Sequence, residues 1–155
     1  MNVLLKSAKI IDKNSQFNGK KKDILIEKGM IVQIADKIVN KPNCKEISLE
    51  NLHVSQGWFD SSVSFGELGY EDRETIANGI DVAAKSGFTA IALNPNTNPK
   101  IDHKSAVEFL HNKGNKGSVD VFPIGNLTLN AEGKELAELY DMYNAGAIAF
   151  GDYNK

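Results

Sequence analysis

The stretch Gly87-Phe-Thr-Ala-Ile-Ala-Leu93 joins the end of a helical pattern to an apolar run. Upstream of it, apolar residues recur at the spacing of one helix face, which predicts a helix capped by Asp72 and ended by Gly87. These apolar residues are Ile76, Ile80, Ala83 and Ala84. Downstream, the apolar run predicts a strand that begins near Phe88. The stretch therefore predicts a helix that returns the chain to the start of a new strand.

The same strand-and-helix pattern recurs along the second part of the chain. Predicted strands begin near Trp58, Phe88, Val119 and Ala147, at spacings of 30, 31 and 28 residues. Because this period is the length of one strand plus a helical return, we expect parallel strands. Two further helices are predicted from apolar positions that precede a glycine. They are Ala106, Val107 and Leu110, which follow Asp102 and precede Gly114, and Leu136, Leu139, Tyr140 and Tyr143, which precede Gly146.

Four such units fit either half of a (β/α)₈ barrel or a doubly wound open sheet. Periodicity alone does not separate these two folds. The first strand is not followed by Gly-x-Gly-x-x-Gly, and the sequence contains no Gly-x-x-x-x-Gly-Lys. The nucleotide-binding forms of the open sheet therefore lose their main support, and the barrel is favoured.

The first part of the chain, residues 1–56, reads as a small β-rich domain that precedes a second domain at residues 57–155. Short Val- and Ile-rich runs predict strands at Val3–Ile11, Asp23–Glu27 and Met30–Ala35, with a weaker run at Lys45–Leu49. Gly29 follows Lys28 between two of these runs, which indicates a hairpin. We expect a small antiparallel sheet.

Composition is typical of a globular protein rather than a disordered tail. Of the 155 residues 41% are hydrophobic and 25% are charged, and the net charge is -2, so the chain has no general attraction to nucleic acid or to an anionic membrane. The apolar stretch at the start is too short for a signal peptide, and no window is long enough to span a bilayer. A single cysteine, Cys44, cannot form an internal disulfide. We expect a cytoplasmic protein.

Ligands of parallel α/β folds bind at the carboxyl ends of the strands. Four polar segments follow the predicted strands there. They are Asp60-Ser-Ser-Val-Ser-Phe-Gly-Glu67, Asn94-Pro-Asn-Thr-Asn-Pro99, Gly125-Asn-Leu-Thr128 and Gly151-Asp-Tyr153. These segments are where binding or catalytic residues are expected.

Several of these segments, in order and spacing, resemble the dihydroorotases. Asn94-Pro-Asn-Thr-Asn-Pro99 is close to that family's Met-Pro-Asn-Thr-x-Pro. The other matching stretches are Gly57-x-x-Asp60, Glu71-Asp-Arg-Glu-Thr75, Ala84-Lys-Ser-Gly-Phe-Thr89, Pro123-Ile-Gly125, Gly133-Lys-Glu-Leu-Ala137 and Ala145-Gly-Ala-Ile-Ala-Phe150.

The resemblance implies an α/β fold: a partial (β/α)₈ TIM-type barrel of about four βα units, preceded by a small β-sandwich subdomain. It also implies a cyclic amidohydrolase of pyrimidine biosynthesis, whose chains are more than twice as long.

Members of that family hold a catalytic zinc ion with two histidines in an Asp-x-His-x-His segment, followed by a substrate-binding arginine. Here Ser62 and Ser64 occupy the two histidine positions, and Gly66 stands in place of the arginine. Near the fourth strand, where the family has a metal-binding aspartate, this chain has Tyr153, although Asp152 precedes it. A neutral hydroxyl is a poor zinc ligand. We therefore expect no metal site, no cofactor and no catalytic residue here.

The remaining candidate residues each have two interpretations. By resemblance, Asn96 would hydrogen-bond the carboxylate of dihydroorotate, but it could equally be a turn residue that caps the next segment. Asp60 could orient a ligand of the site, although an aspartate in this position more often accepts from backbone amides. The three histidines, His53, His103 and His111, lie away from the predicted strand ends and are expected at the surface or in packing.

Two functions of different class follow. One is a non-catalytic dihydroorotase homologue, a pseudoenzyme with a structural or assembly role, whose partner is aspartate transcarbamoylase or a second copy of the chain. Any small-molecule ligand would then bind weakly, around Asn96. The alternative is an active zinc-dependent dihydroorotase whose ligands lie mainly in a further C-terminal half.

Overall fold

The computed structural model describes residues 1–114 and 117–153. The chain divides into two compact units, Met1–Gln56 and Gly57–Lys155. None of the helices in the described ranges is long and apolar enough to cross a membrane.

The first unit is a five-stranded sheet. Its strands are β1 (Asn2–Ile11), β2 (Lys21–Glu27), β3 (Met30–Ala35), β4 (Cys44–Ile47) and β5 (His53–Ser55). The predicted hairpin is confirmed, since β2 and β3 pair antiparallel and the Lys28-Gly29 turn has φ angles of 53° and 80°. Gly29 adopts its angle without steric cost, whereas Lys28 is a non-glycine residue in the left-handed region.

The expectation of a purely antiparallel sheet is wrong, because β4 and β5 both run parallel to β1. The long strand β1 pairs along one edge with two short strands in turn, first with β4 at Asn2–Leu5 and then with β5 at Lys9–Ile11. Both short strands arrive through longer connections rather than tight turns, so they can run in the same direction as β1.

A buried carboxylate, that of Asp23, connects three segments of this unit. Asp23 on β2 accepts hydrogen bonds from the backbone N–H groups of Ser7 and Ile38, each at 2.8 Å, and pairs with the Lys6 ammonium. Burial raises the pKa of Asp23, but the Lys6 contact and the two N–H donors outweigh it, so the pKa lies below its ordinary value. The charged form is therefore the one that holds β1, β2 and the segment at Ile38 together.

The second unit alternates strands and helices, as predicted. Its elements are β6 (Trp58–Val63), α1 (Ile76–Lys85), β7 (Phe88–Leu93), α2 (Lys104–Gly114), β8 (Asp120–Gly125), α3 (Leu139–Asn144) and β9 (Ala149–Phe150). All strand pairs are parallel, in the order β6-β7-β8-β9. A doubly wound sheet reverses its strand order at a switch point, whereas a barrel keeps it sequential. The unit therefore has the order of a half-barrel.

The core of this unit lies between the sheet and its helices. Residues of α1 and α2 pack against β7 and β8 through fully buried aliphatic side chains. The largest of them are Ile76, Ile91, Leu93, Val107, Leu110 and Val121, and the fully buried Ile101 before α2 and Val119 before β8 join the same core. The predicted inward face of α2 is confirmed, because Ala106, Val107 and Leu110 are all buried.

The cap of α1 differs from the prediction. Thr75, not Asp72, is the N-cap residue, and its hydroxyl accepts from the backbone N–H of Asn78 at 3.3 Å. A second acceptor comes from the loop after β6, where the carboxylate of Glu67 accepts from the N–H of Ile76 at 2.9 Å. Asp72 lies too far before the first helical residue to reach these donors. Gly87 follows the helix with φ of 90°, as a helix stop requires.

The apolar face predicted for the third helix is confirmed only at Leu139, which is partly buried against the core. Tyr140, Tyr143 and the preceding Leu136 are exposed, and the buried residue of α3 is Met142. A helix of six residues presents only a narrow face to the core, and here that face consists of Met142 and the partly buried Leu139. A Cβ atom at Gly125 would lie 2.2 Å from the Met142 methyl carbon, so the glycine that ends β8 makes room for this side chain.

Candidate functional site

The carboxyl ends of β6 and β7 are joined by a polar cluster of three residues, which we call the Ser-Ser-Asn clasp: Ser62, Ser64 and Asn94. The Asn94 side-chain Nδ2 donates to the hydroxyl oxygens of Ser62 and Ser64, both at 3.1 Å. Its backbone N–H donates to the carbonyl of Val63 at 2.8 Å. Asn94 is buried, whereas both serines are exposed. The amide of one strand thus fixes two hydroxyls of its neighbour.

Asp60 makes a backbone contact. Its Oδ1 accepts from the N–H of Ser62 at 3.0 Å, which is the ordinary structural role of an aspartate near a strand end. The residue also lines a cavity of about 260 Å³ beside α1, together with Ser64 and Glu74. Asp60 is half-buried, and its carboxylate is hydrogen-bonded to the backbone of its own strand.

The loop after β6 folds tightly around Gly66. The Gly66 N–H donates to the carbonyl of Glu74 at 3.0 Å, and the Gly66 carbonyl accepts from the N–H of Tyr70 at 2.9 Å. A Cβ atom at Gly66 would lie 1.7 Å from the Tyr70 carbonyl oxygen. No side chain fits this loop at that position. The sole arginine of the chain, Arg73, instead stacks on the Tyr70 ring with 4.5 Å between the guanidinium carbon and the ring centroid.

The carboxylate of Asp152 holds the loop that follows β8. Its Oδ1 accepts from the N–H groups of Leu127 and Thr128, both at 3.1 Å, and its Oδ2 accepts from the Thr128 hydroxyl at 2.6 Å. The Thr128 hydroxyl, together with the two N–H donors, lowers the pKa of Asp152. The neighbouring Tyr153 is partly exposed, and Asn154 lies outside the described residues. Asp152 is thus engaged by the protein itself.

Two asparagines stand out at these strand ends. Asn126 is fully buried and pairs twice with Ile101: its backbone N–H donates to the Ile101 carbonyl at 2.6 Å, and its Oδ1 accepts from the Ile101 N–H at 2.9 Å. The Oδ1 of Asn96 is buried and accepts no hydrogen bond within residues 1–114 and 117–153. Its proposed contact with a ligand carboxylate would use the amide nitrogen, and it stays a prediction.

Sequence reasoning did not single out Asn94 and Asn126. Each directly follows an apolar strand, Asn94 after Leu93 and Asn126 after Gly125, and that position was the available signal. It could not reveal their partners, because Ser62 and Ser64 precede Asn94 by about thirty residues and Ile101 precedes Asn126 by 25.

Within the described residues, this edge offers carboxylates and hydroxyls to a metal ion but no imidazole or thiolate. Zinc sites in proteins use imidazole, thiolate and carboxylate ligands. The described histidines lie elsewhere: His53 on β5, His103 beside Asp102 at 2.9 Å, and His111 within α2. Within the described ranges no group of three or more histidine, cysteine, aspartate or glutamate residues could hold a metal ion.

Comparison with known proteins decides the family. The family model for dihydro-orotase-like proteins matches residues 53–154, about two thirds of the chain. The chain belongs to the dihydro-orotase-like family. It is 39% identical to the dihydroorotase of Pelotomaculum thermopropionicum over 154 residues, which cover 98% of this chain and 35% of the relative. It is 37% identical to the dihydroorotase of Syntrophus aciditrophicus over 157 residues, covering 100% of this chain and 37% of that relative.

Solved structures agree on the fold. The L-hydantoinase of Arthrobacter aurescens matches with a TM-score of 0.76 and 21% identity, over 96% of this chain and 32% of that one. A dihydroorotase structure matches with a TM-score of 0.65 and 14% identity, over 96% of this chain and 41% of that one. The half-barrel therefore has the same fold as the matching part of these two structures. The chain spans about a third of the length of its curated relatives.

Proposed function

We propose that this protein is a non-catalytic member of the dihydro-orotase-like family with a structural or assembly role in pyrimidine biosynthesis. The observation that carries the proposal is the Ser-Ser-Asn clasp. Where the family resemblance implies two histidines, this chain has two serine hydroxyls hydrogen-bonded to the Asn94 amide.

The chemistry of the surrounding groups supports the same conclusion. Bound zinc supplies a hydroxide nucleophile at neutral pH. Serine hydroxyls deprotonate too reluctantly to replace two imidazoles, and Asp152 already accepts three hydrogen bonds from Leu127 and Thr128. Gly66 also leaves no room for the arginine that would bind the substrate carboxylate. Any ligand contact through Asn96 would therefore be weak, because the bidentate charge-assisted contact is lost.

An assembly role agrees with the exposed strand at the edge of the half-barrel. On β6, Trp58 and Phe59 are each more than half exposed, at 60% and 52%. Large apolar side chains on an edge strand favour association with another surface. A second copy of the chain or an aspartate transcarbamoylase would be partners of this kind, and a further C-terminal half of the barrel would cover the same strand.

The proposal is tested in a chimera, because the chain spans about a third of its relatives' length. The matching segment of the Pelotomaculum thermopropionicum dihydroorotase is replaced by residues 1–155, so that the relative supplies the rest of the barrel. We expect the chimera to fold but not to interconvert carbamoyl aspartate and dihydroorotate. Ser62→His, Ser64→His and Tyr153→Asp together should raise its zinc content, provided that the ligands supplied by the relative remain in place.

The unmodified relative is the positive control, and Ser61→His, on the exposed neighbouring serine, is the matched control for an added imidazole. Turnover by the unsubstituted chimera at a rate near that of the relative would overturn the non-catalytic assignment. It would restore the alternative, an active zinc-dependent enzyme.

A further inference from the structure

The half-barrel is open at two edges. Within the described residues, β6 pairs only with β7 and β9 pairs only with β8. A closed barrel of this class has eight parallel strands in sequential order, and this sheet supplies four of them. Two such sheets, related by a two-fold axis that runs along the barrel, would place the β6 edge of each copy beside the β9 edge of the other. All eight strands would then be parallel.

The face of the sheet that points away from the helices carries half of an interior layer. Val121 packs in the core on the helix side, so the next residue, Phe122, lies on the opposite face. The Phe59 ring contacts the Phe122 ring edge to face, with 6.5 Å between the centroids, although β7 separates their two strands. An interior layer of such a barrel consists of four side chains from alternate strands. Phe59 and Phe122 are two of the four, and Phe59 is left exposed.

We propose that two copies of this chain associate through β6 and β9 and close one eight-stranded barrel, in which each copy supplies Phe59 and Phe122 to a shared layer of four aromatic rings. A second copy supplies the four remaining strands in the required direction and the two remaining side chains of the layer. This inference rests on the assembly role in the proposed function and specifies the partner. A further C-terminal half of the barrel would occupy the same two edges, so the test uses the 155-residue chain.

The contact between the two rings also predicts the register of the new strand pairs. From β6 to β8, the residues at the level of this contact advance by one position per strand relative to the paired residues. The same advance at every strand gives the shear of a closed eight-stranded barrel. Continued through β9, it places Ala149 opposite Phe59 of the second copy, and Gly151 opposite Ser61 of the second copy.

Cysteine cross-linking tests this register. Ser61→Cys and Gly151→Cys are combined in a chain in which Cys44→Ser removes the native thiol. Ser61 is exposed and a Cβ atom at Gly151 meets nothing within 4 Å, so neither change should disturb the fold. We expect oxidation to give a covalent dimer, because opposite residues of neighbouring strands lie about 4.8 Å apart, within reach of a disulfide.

Each new cysteine alone is the matched control and should give no covalent dimer, because the two β6 strands are not neighbours in the proposed barrel and neither are the two β9 strands. A dimer in solution that does not form the cross-link between positions 61 and 151 would overturn the proposal. Equal cross-linking through either single cysteine would also overturn it.

Sedimentation equilibrium measures the association itself. The unmodified chain should sediment with twice the mass of one copy. Phe59→Ala should raise the dissociation constant by at least about 100-fold, because each copy then loses a buried aromatic side chain from the layer. Tyr140→Ala, at an exposed aromatic residue of α3, is the matched control and should leave the dissociation constant unchanged. An unmodified chain that is monomeric at every concentration would overturn the proposal, as would an unchanged dissociation constant in a folded Phe59→Ala variant.

Failure of this inference is distinguishable from failure of the proposed function. Turnover by the chimera reports on catalysis and does not depend on whether the 155-residue chain associates. A monomeric chain together with an inactive chimera would refute the shared barrel alone. A cross-linked dimer together with a chimera that turns over at a rate near that of the relative would refute the non-catalytic assignment alone.

Discussion

Replacing Gly66 by alanine tests whether the loop after β6 excludes the side chain that the family resemblance implies. The new Cβ atom would lie 1.7 Å from the Tyr70 carbonyl oxygen, which is backbone and cannot move without opening the loop. Opening it removes three backbone hydrogen bonds: Gly66 and Glu67 to the Glu74 carbonyl at 3.0 and 3.1 Å, and Tyr70 to the Gly66 carbonyl at 2.9 Å. At about 1 kcal/mol each, the loss is about 3 kcal/mol.

The more restricted unfolded chain of the alanine variant offsets roughly 0.4 to 1 kcal/mol of this loss. We therefore expect Gly66→Ala to lower the free energy of unfolding by about 2 to 3 kcal/mol. Urea unfolding followed by the fluorescence of Trp58, the single tryptophan, measures it. Gly151→Ala is the matched control, because a Cβ atom there meets nothing within 4 Å. A Gly66→Ala variant as stable as Gly151→Ala would refute the reasoning, and an arginine at this position could then be accommodated.

Three further predictions concern stability, titration and assembly. Asp23→Ala should destabilise the first unit by about 2 to 4 kcal/mol, because the N–H groups of Ser7 and Ile38 lose a buried acceptor. Asp36→Ala, which removes an exposed ion-pair partner, should cost less than about 1 kcal/mol, and equal losses of amide-exchange protection in the two variants would contradict this difference. Since the pKa of Asp152 is lowered, its contribution to stability is present at neutral pH and is lost only as the pH falls through that lowered pKa. The NMR shift of the Leu127 amide should report this titration, and a midpoint at or above the ordinary aspartate range would contradict it. The 155-residue chain should be oligomeric or poorly soluble, because β6 and β9 are unpaired edges of the described sheet; a monodisperse monomer with a cooperative melt, seen by light scattering and calorimetry, would contradict this.

The order of elements in the second unit was predictable because it depends on local patterns. Apolar runs fixed β7 and β8, and the spacing of Ala106, Val107 and Leu110 fixed the inward face of α2. Prediction failed where tertiary contacts decide. The exposed Tyr140 and the buried Met142 belong to one short helix, and it is Met142 that occupies the space left by Gly125.

The candidate site was predictable only in its location. The sequence already showed serines at positions 62 and 64, where the family resemblance implies histidines. The polar segments that follow the strands located the edge of the sheet at which these two residues lie. The bonding of Asn94 to Ser62 and Ser64 was not predictable, because it depends on how two strands align across about thirty residues. The use of Asp152 as an acceptor for Leu127 and Thr128 likewise requires the loop conformation.

The zinc content of the purified protein tests the central claim, the absence of a metal site, most directly. Elemental analysis after expression with zinc in the medium should give far less than one zinc per chain, and Asp60→Asn and Asp152→Asn should not change it. These two carboxylates accept hydrogen bonds from the backbone N–H groups of Ser62, Leu127 and Thr128, so neither is expected to bind a metal ion. A ratio near one zinc per chain that is lost in either variant would contradict the account and restore a zinc-dependent enzyme.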